Sequence, residues 1–166
     1  MTSSRSLRVT LEALAQGLAE PPASDDHSTV DRWTWFSGLY ADQTWGLVAA
    51  IPGFPRIAAD QIAGACRATA SGTATVDQWR AIDSLAASGL AATQTRSLTL
   101  AWSAAIDTAT DAFDYLAGHD FGGLEAILGA FEAVLTQYPA PVAAAFVDGA
   151  LTAWARQLDP SLRRAA

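Results

Sequence analysis

The sequence predicts an all-α fold, a single-domain compact bundle of six or seven helices over residues 1–166 with irregular or orthogonal packing. Three observations support this prediction. Apolar residues recur with the 3.6-residue period of a helix, and no segment shows the alternation of a half-buried strand. The composition is 51% hydrophobic and 16% charged, which is too apolar for a disordered chain. The length of 166 residues is close to that of one domain.

The N-terminal part of the chain is predicted to form two helices. The first covers about residues 4–20, where leucines recur along one helical face, and Pro21 follows it. A polar, proline-containing loop comes next at 21–28. The second helix runs from about residue 28 to Ala50, where a Pro-Gly-Phe-Pro segment ends it.

Five further helices are predicted between glycine and proline breaks, over about residues 55–70, 76–90, 95–117, 121–137 and 140–158. Thr75 is the predicted N-cap of the fourth helix, which either ends at Gly89 or continues past it with a kink. The seventh helix is apolar around about half of its circumference, so it is expected to pack between several others. We place Gly149 on a close-packed face of that helix, and we expect residues 159–166 to fray.

Two segments resemble each other at an offset of 46 residues. Residues 29–39 and 75–85 share Thr, Val, Asp, Trp and Leu at matching positions. Duplication of a helix pair is one explanation. The other, which we favour, is that Thr and Asp at a helix N-terminus, followed by a buried Trp, arose twice for local reasons.

Charge and composition argue against several functional classes. The net charge is −7, and the ten cations, all arginines, do not cluster, so a nucleic-acid-binding groove is not expected. No run is apolar enough to predict a membrane-spanning helix, and Glu12 interrupts the place of a signal-peptide core. The single Cys66 lies mid-helix among alanines, which favours a packed thiol rather than a reactive one. We expect a cytoplasmic protein.

The sequence offers little evidence for a metal, a cofactor or catalysis. No Glu is followed three residues later by His, as a di-iron bundle requires, and no phosphate-binding loop or nucleophile motif is present. Asp107, Asp111 and Asp114 form a stripe on the fifth predicted helix, opposite its apolar face, so we expect this stripe to face solvent. We therefore predict no metal site and no cofactor.

Two short loops place carboxylates beside a histidine. The first contains Asp25, Asp26 and His27, and the second contains His119 and Asp120. These residue types can bind cations. Here they also fit ordinary positions before helix N-termini, and we favour that interpretation.

The least ordinary feature is the aromatic content of the second predicted helix. Trp33, Phe36 and Tyr40 fall on its core face, whereas Trp35 and Trp45 fall on the side that carries aspartates. One interpretation is that this helix is buried on two sides or breaks near a glycine. The other is that the two off-face tryptophans line a ligand pocket or a partner interface, where Trp is enriched.

From these patterns we expect a non-catalytic binding or interaction protein, in an adaptor, accessory or immunity-like role, that uses the aromatic-rich surface of the second helix. Its candidate binding residues are Trp35, Tyr40, Asp42, Trp45 and Asp83. The alternative is a bundle that encloses an apolar small-molecule pocket, for sequestration or positioning-driven catalysis without a metal, with Asp42 or Asp83 as its polar anchor. The expected partner is thus a protein or an apolar small molecule, with no nucleic acid and no membrane span.

Overall fold

The computed structural model describes residues 28–119 and 123–158, and it confirms the all-α prediction. The described part contains no strand. Its seven helices are α1 (Ser28–Ala41), α2 (Leu47–Ala50), α3 (Arg56–Ala70), α4 (Val76–Ala92), α5 (Arg96–Leu116), α6 (Leu124–Gln137) and α7 (Ala140–Leu158). The helix predicted at 4–20, nearly all of the loop predicted at 21–28 and the segment 159–166 lie outside the described residues.

Every helix contributes buried apolar side chains to one core. α1 packs mainly on α3, α5 packs on both α4 and α6, and α7 contacts α1 and α6. Many of the buried residues are alanines, which let the helix backbones approach closely. Within the described ranges, no helix is both long enough and apolar enough to cross a membrane.

Trp33 and Trp79, the tryptophans of the two similar segments, meet in the centre of this core. Both are fully buried, and their ring centroids lie 5.6 Å apart at an interplanar angle of 52°. The Trp79 Nε1–H donates a hydrogen bond of 2.9 Å to Thr69 Oγ1 on α3. Tyr115 on α5 also contacts Trp33, at 5.8 Å between ring centroids. The pair therefore joins α1, α3, α4 and α5, and a common origin of the two segments stays a hypothesis.

The predicted start of α4 is confirmed by its cap. The Thr75 hydroxyl accepts a hydrogen bond from the backbone N–H of Gln78, at 3.1 Å. This bond satisfies one of the backbone donors that the first turn of a helix leaves unpaired. α5 begins in the same way, with the Thr95 hydroxyl accepting from the Leu98 N–H.

The predicted second helix is corrected by the structure, because it is not continuous to Ala50. α1 ends at Ala41, and a turn at 42–46 leads into the single turn of α2. Asp42 Oδ1 accepts hydrogen bonds from the Thr44 N–H at 2.8 Å and from the Trp45 N–H at 3.1 Å. These side-chain bonds compete with helical bonding and favour a turn.

α4 continues through Gly89 to Ala92, which resolves the alternative that the sequence left open. The packing of Trp102 of α5 against this position explains why a glycine stands within the helix. A β-carbon at Gly89 would overlap the Trp102 indole, which is 95% buried and also contacts Phe54 at 4.8 Å between ring centroids. Glycine is therefore required for close approach, although it lowers helix propensity.

We predict that Gly89→Ala destabilises the protein, whereas Gly64→Ala on α3 does not. At Gly64 the nearest atom outside its own helix backbone and its immediate neighbours is 4.0 Å from an added β-carbon, so alanine there should raise the free energy of unfolding by about 0.5–1 kcal/mol. Overpacking at Gly89 should lower it by about 1–3 kcal/mol. Urea denaturation of both variants measures this. Equal stabilisation by the two substitutions would show that Trp102 does not pack against Gly89.

Candidate functional site

Trp35 lies in the core, in agreement with the interpretation that the second predicted helix is buried on two sides. Only 3% of the residue is exposed. Its Nε1–H donates a buried hydrogen bond of 2.9 Å to the backbone carbonyl of Ala150 on α7. α1 is thus buried on two sides, because α3 covers one side and α7 contacts another.

Trp35, Trp45 and Trp154 form a cluster that we call the tryptophan junction. Trp45 stacks on Trp35 at 6.2 Å between ring centroids and 19° between ring planes. Trp154 of α7 meets Trp35 edge-on, at 5.8 Å and 69°. Trp45 itself is half-buried and lies in the turn between α1 and α2. The junction therefore ties together α1, the turn before α2, and α7.

The remaining predicted binding residues have different environments. Tyr40 is fully buried, and its hydroxyl shares a 2.6 Å hydrogen bond with Thr108 Oγ1. Burial raises the pKa of Tyr40 far above its usual value.

Asp42 stabilises the turn at 42–46 between α1 and α2. Burial would raise the pKa of its carboxyl group, but hydrogen bonds from Thr44 and Trp45 outweigh burial and lower it.

Asp83 is half-buried on α4 and lines neither of the two clefts described next. The structure therefore brings Asp42 and Trp45 together at one turn, and Tyr40 lies at the end of α1 just before that turn. Asp83 lies on a different part of the bundle.

The first cleft opens between α2, the end of α6 and α7. Its volume is about 300 Å³. Six of its lining residues have hydrocarbon side chains, and Thr44 and Tyr138 contribute hydroxyl groups. Val142 is 50% exposed, which is unusual for a large apolar side chain in this protein. The lining residues are Thr44, Ala49, Ala50, Val134, Tyr138, Val142, Ala145 and Phe146.

The second cleft also borders α2 and has a volume of about 350 Å³. Ala49 belongs to the walls of both clefts. The other lining residues of the second cleft are Gln43, Val48, Phe54 and Arg56. Both clefts border the segment that follows α1, so they could not be predicted from a helix continuous over residues 28–50.

The acidic stripe of α5 only partly faces solvent, which corrects the sequence expectation. Asp114 is exposed, but Asp107 and Asp111 are half-buried. Burial and, to a smaller extent, the charge of Asp107 raise the pKa of Asp111 to about 7, although a hydrogen bond from the Gly123 backbone partly opposes the shift. Burial and the nearby Glu125 also raise the pKa of Asp107.

No group of three or more His, Cys, Asp or Glu side chains within residues 28–119 and 123–158 has the geometry to hold a metal ion. His119 is exposed, whereas Asp25, Asp26, His27 and Asp120 lie outside the described residues. Cys66 is fully buried, as predicted for a packed thiol. Burial raises the pKa of this thiol well above its usual value, and Arg67 opposes the shift only in part.

Comparison with known proteins gives no guide to the role of the clefts, since no family model, no curated protein sequence and no solved structure matches the chain.

We predict that Trp35→Ala costs as much stability as Trp33→Ala. Both side chains are buried in the core, so each large-to-small change should lower the free energy of unfolding by about 3–5 kcal/mol. Chemical denaturation of the two variants measures the cost. A loss below about 1 kcal/mol for Trp35→Ala would be typical of a surface position and would contradict its placement under α7.

We predict that stability contributed by protonated Asp111 is lost as pH rises from about 4 to about 7. The pKa is about 7 in the folded protein and about 3.9 when unfolded, so the folded state binds more protons in this window. Asp111→Asn should therefore be more stable than the native protein near pH 8, and this difference should shrink as the pH falls. Thermal melts across the window measure it. A constant difference between the two proteins would contradict the raised pKa.

Proposed function

We propose that this protein is a non-catalytic binding protein and that the first cleft takes a small apolar ligand. The observation that carries the proposal is the cleft itself, an opening of about 300 Å³ with mainly hydrocarbon walls. Ligand pockets occupy roughly 300–1,000 Å³ and are lined mostly by apolar groups with a few polar ones. The first cleft therefore suits a ligand at the small end of this range.

The composition of the walls favours binding over catalysis. Thr44 and Tyr138 are the polar lining residues, and Thr44 already donates its hydroxyl hydrogen to Asp42. Serine, cysteine, histidine, aspartate and glutamate are missing from the described lining of the first cleft, so its chemistry is limited to the hydroxyl groups of Thr44 and Tyr138. The Tyr138 hydroxyl is the polar group that could orient a ligand.

An aromatic interaction surface on α1 and its following turn has weaker support. Trp35 and Tyr40 are buried, and Trp45 is packed against Trp35. A protein partner would therefore find little aromatic area to contact at these positions. The first cleft provides exposed apolar surface instead, at Val142 and the alanines beside it.

We predict that Ala145→Trp abolishes binding of an apolar probe, because the indole would fill the first cleft. The probe is N-phenyl-1-naphthylamine, a neutral compound whose fluorescence increases in apolar surroundings. Ala144→Trp is the matched control, since Ala144 is the exposed neighbour on α7 and does not line the cleft.

The expected result is saturable fluorescence with the native protein and with Ala144→Trp, and none with Ala145→Trp. Thermal melts establish that both variants are folded. Equal probe binding by all three proteins would place the apolar site elsewhere, and no binding by the native protein would reject the proposed function.

A further inference from the structure

We propose that the ligand is an anionic amphiphile, a small carboxylate whose apolar body lies in the first cleft while its carboxylate group pairs with Arg56 in the second cleft. This inference rests on the proposed function and specifies its ligand class. It is carried by two features, the shared wall of the two clefts and the charge of their lining.

The two clefts border the same short element. α2 is a single turn, and its exposed Ala49 belongs to the walls of both openings. The two clefts therefore adjoin each other at Ala49, and the proposed ligand lies across this residue and contacts both. The first cleft supplies mainly hydrocarbon contacts, and the second supplies the Gln43 amide and the Arg56 guanidinium.

The charge of the lining is opposite in sign to that of the whole chain. The protein has 17 carboxylate side chains and a net charge of −7, yet the described walls of both clefts contain no Asp or Glu. Their one charged residue is Arg56. Behind this lining, the Asp42 carboxylate accepts a hydrogen bond from the Thr44 hydroxyl, so the counter-charge for an anion is Arg56 in the second cleft.

Arg56 is available for such a ligand. It is exposed, and no residue of the described part forms an ion pair with it. Asp60 follows one turn later on α3 but lies beyond ion-pair distance. A guanidinium group presents parallel N–H donors that match the two oxygens of a carboxylate. One guanidinium balances the single charge of a carboxylate, whereas a doubly charged phosphate would retain an unpaired charge.

The test compares octanoate with 1-octanol as competitors for bound N-phenyl-1-naphthylamine at neutral pH. The two compounds have the same chain length and differ in their head groups. Arg56→Gln removes the proposed anion partner. Arg67→Gln is the matched control, because it removes the same charge from an exposed position on the same helix, away from both clefts.

We expect octanoate to displace the probe from the native protein at a concentration about two- to fivefold lower than octanol, the effect of an exposed ion pair. Arg56→Gln should abolish this preference without changing the concentration of octanol that displaces the probe. Arg67→Gln should leave the preference for octanoate intact. Equal competition by the two compounds, or a preference that survives Arg56→Gln, would overturn the inference while leaving the apolar site in place. Absence of probe binding by the native protein would instead reject the proposed function.

Discussion

The position of the Trp45 indole is the constraint on which this end of the bundle depends. A β-carbon at Gly38 would lie 2.6 Å from Trp45 Cζ2, and one at Gly149 would lie 2.9 Å from Trp45 Cβ. Real side chains do not approach this closely, so both residues must be glycine for Trp45 to occupy its place between α1 and α7. Trp35 extends the contact by stacking on Trp45 and donating its hydrogen bond to α7.

This packing fixes where the clefts lie. One residue, Gly46, separates Trp45 from the start of α2. The position of Trp45 between α1 and α7 therefore determines where that short helix begins. α2 then presents Ala49 and Ala50 towards the first cleft, opposite Val142 and Ala145. Because alanine side chains are small, the space between α2 and α7 is not filled. The structural role of the tryptophans and the proposed binding role of the cleft are thus two consequences of one arrangement.

Five of the described helices, α3 to α7, could be predicted from the sequence, because each has apolar residues at helical spacing and a glycine, proline or cap such as Thr75 near its ends. The site could not be predicted, because it depends on contacts between distant segments. Trp35 falls outside the apolar stripe of α1, and only the approach of α7 buries it. Asp42 followed by Thr44 is a typical turn sequence and, together with Gly46, is the local signal for the break after Ala41. Similarly, Asp111 was placed in solvent because α5 alone does not reveal the neighbouring start of α6.

An NMR titration tests the central claim most directly: octanoate is added to the isotopically labelled protein, and the amide chemical shifts are recorded at each concentration. That claim is that the clefts beside α2 form the binding site. The account predicts saturable shifts confined to the amides around Ala49, Arg56, Ala145 and Phe146, from both clefts. Shifts concentrated elsewhere, for example around Asp83 on α4, or the absence of any saturable shift, would contradict it.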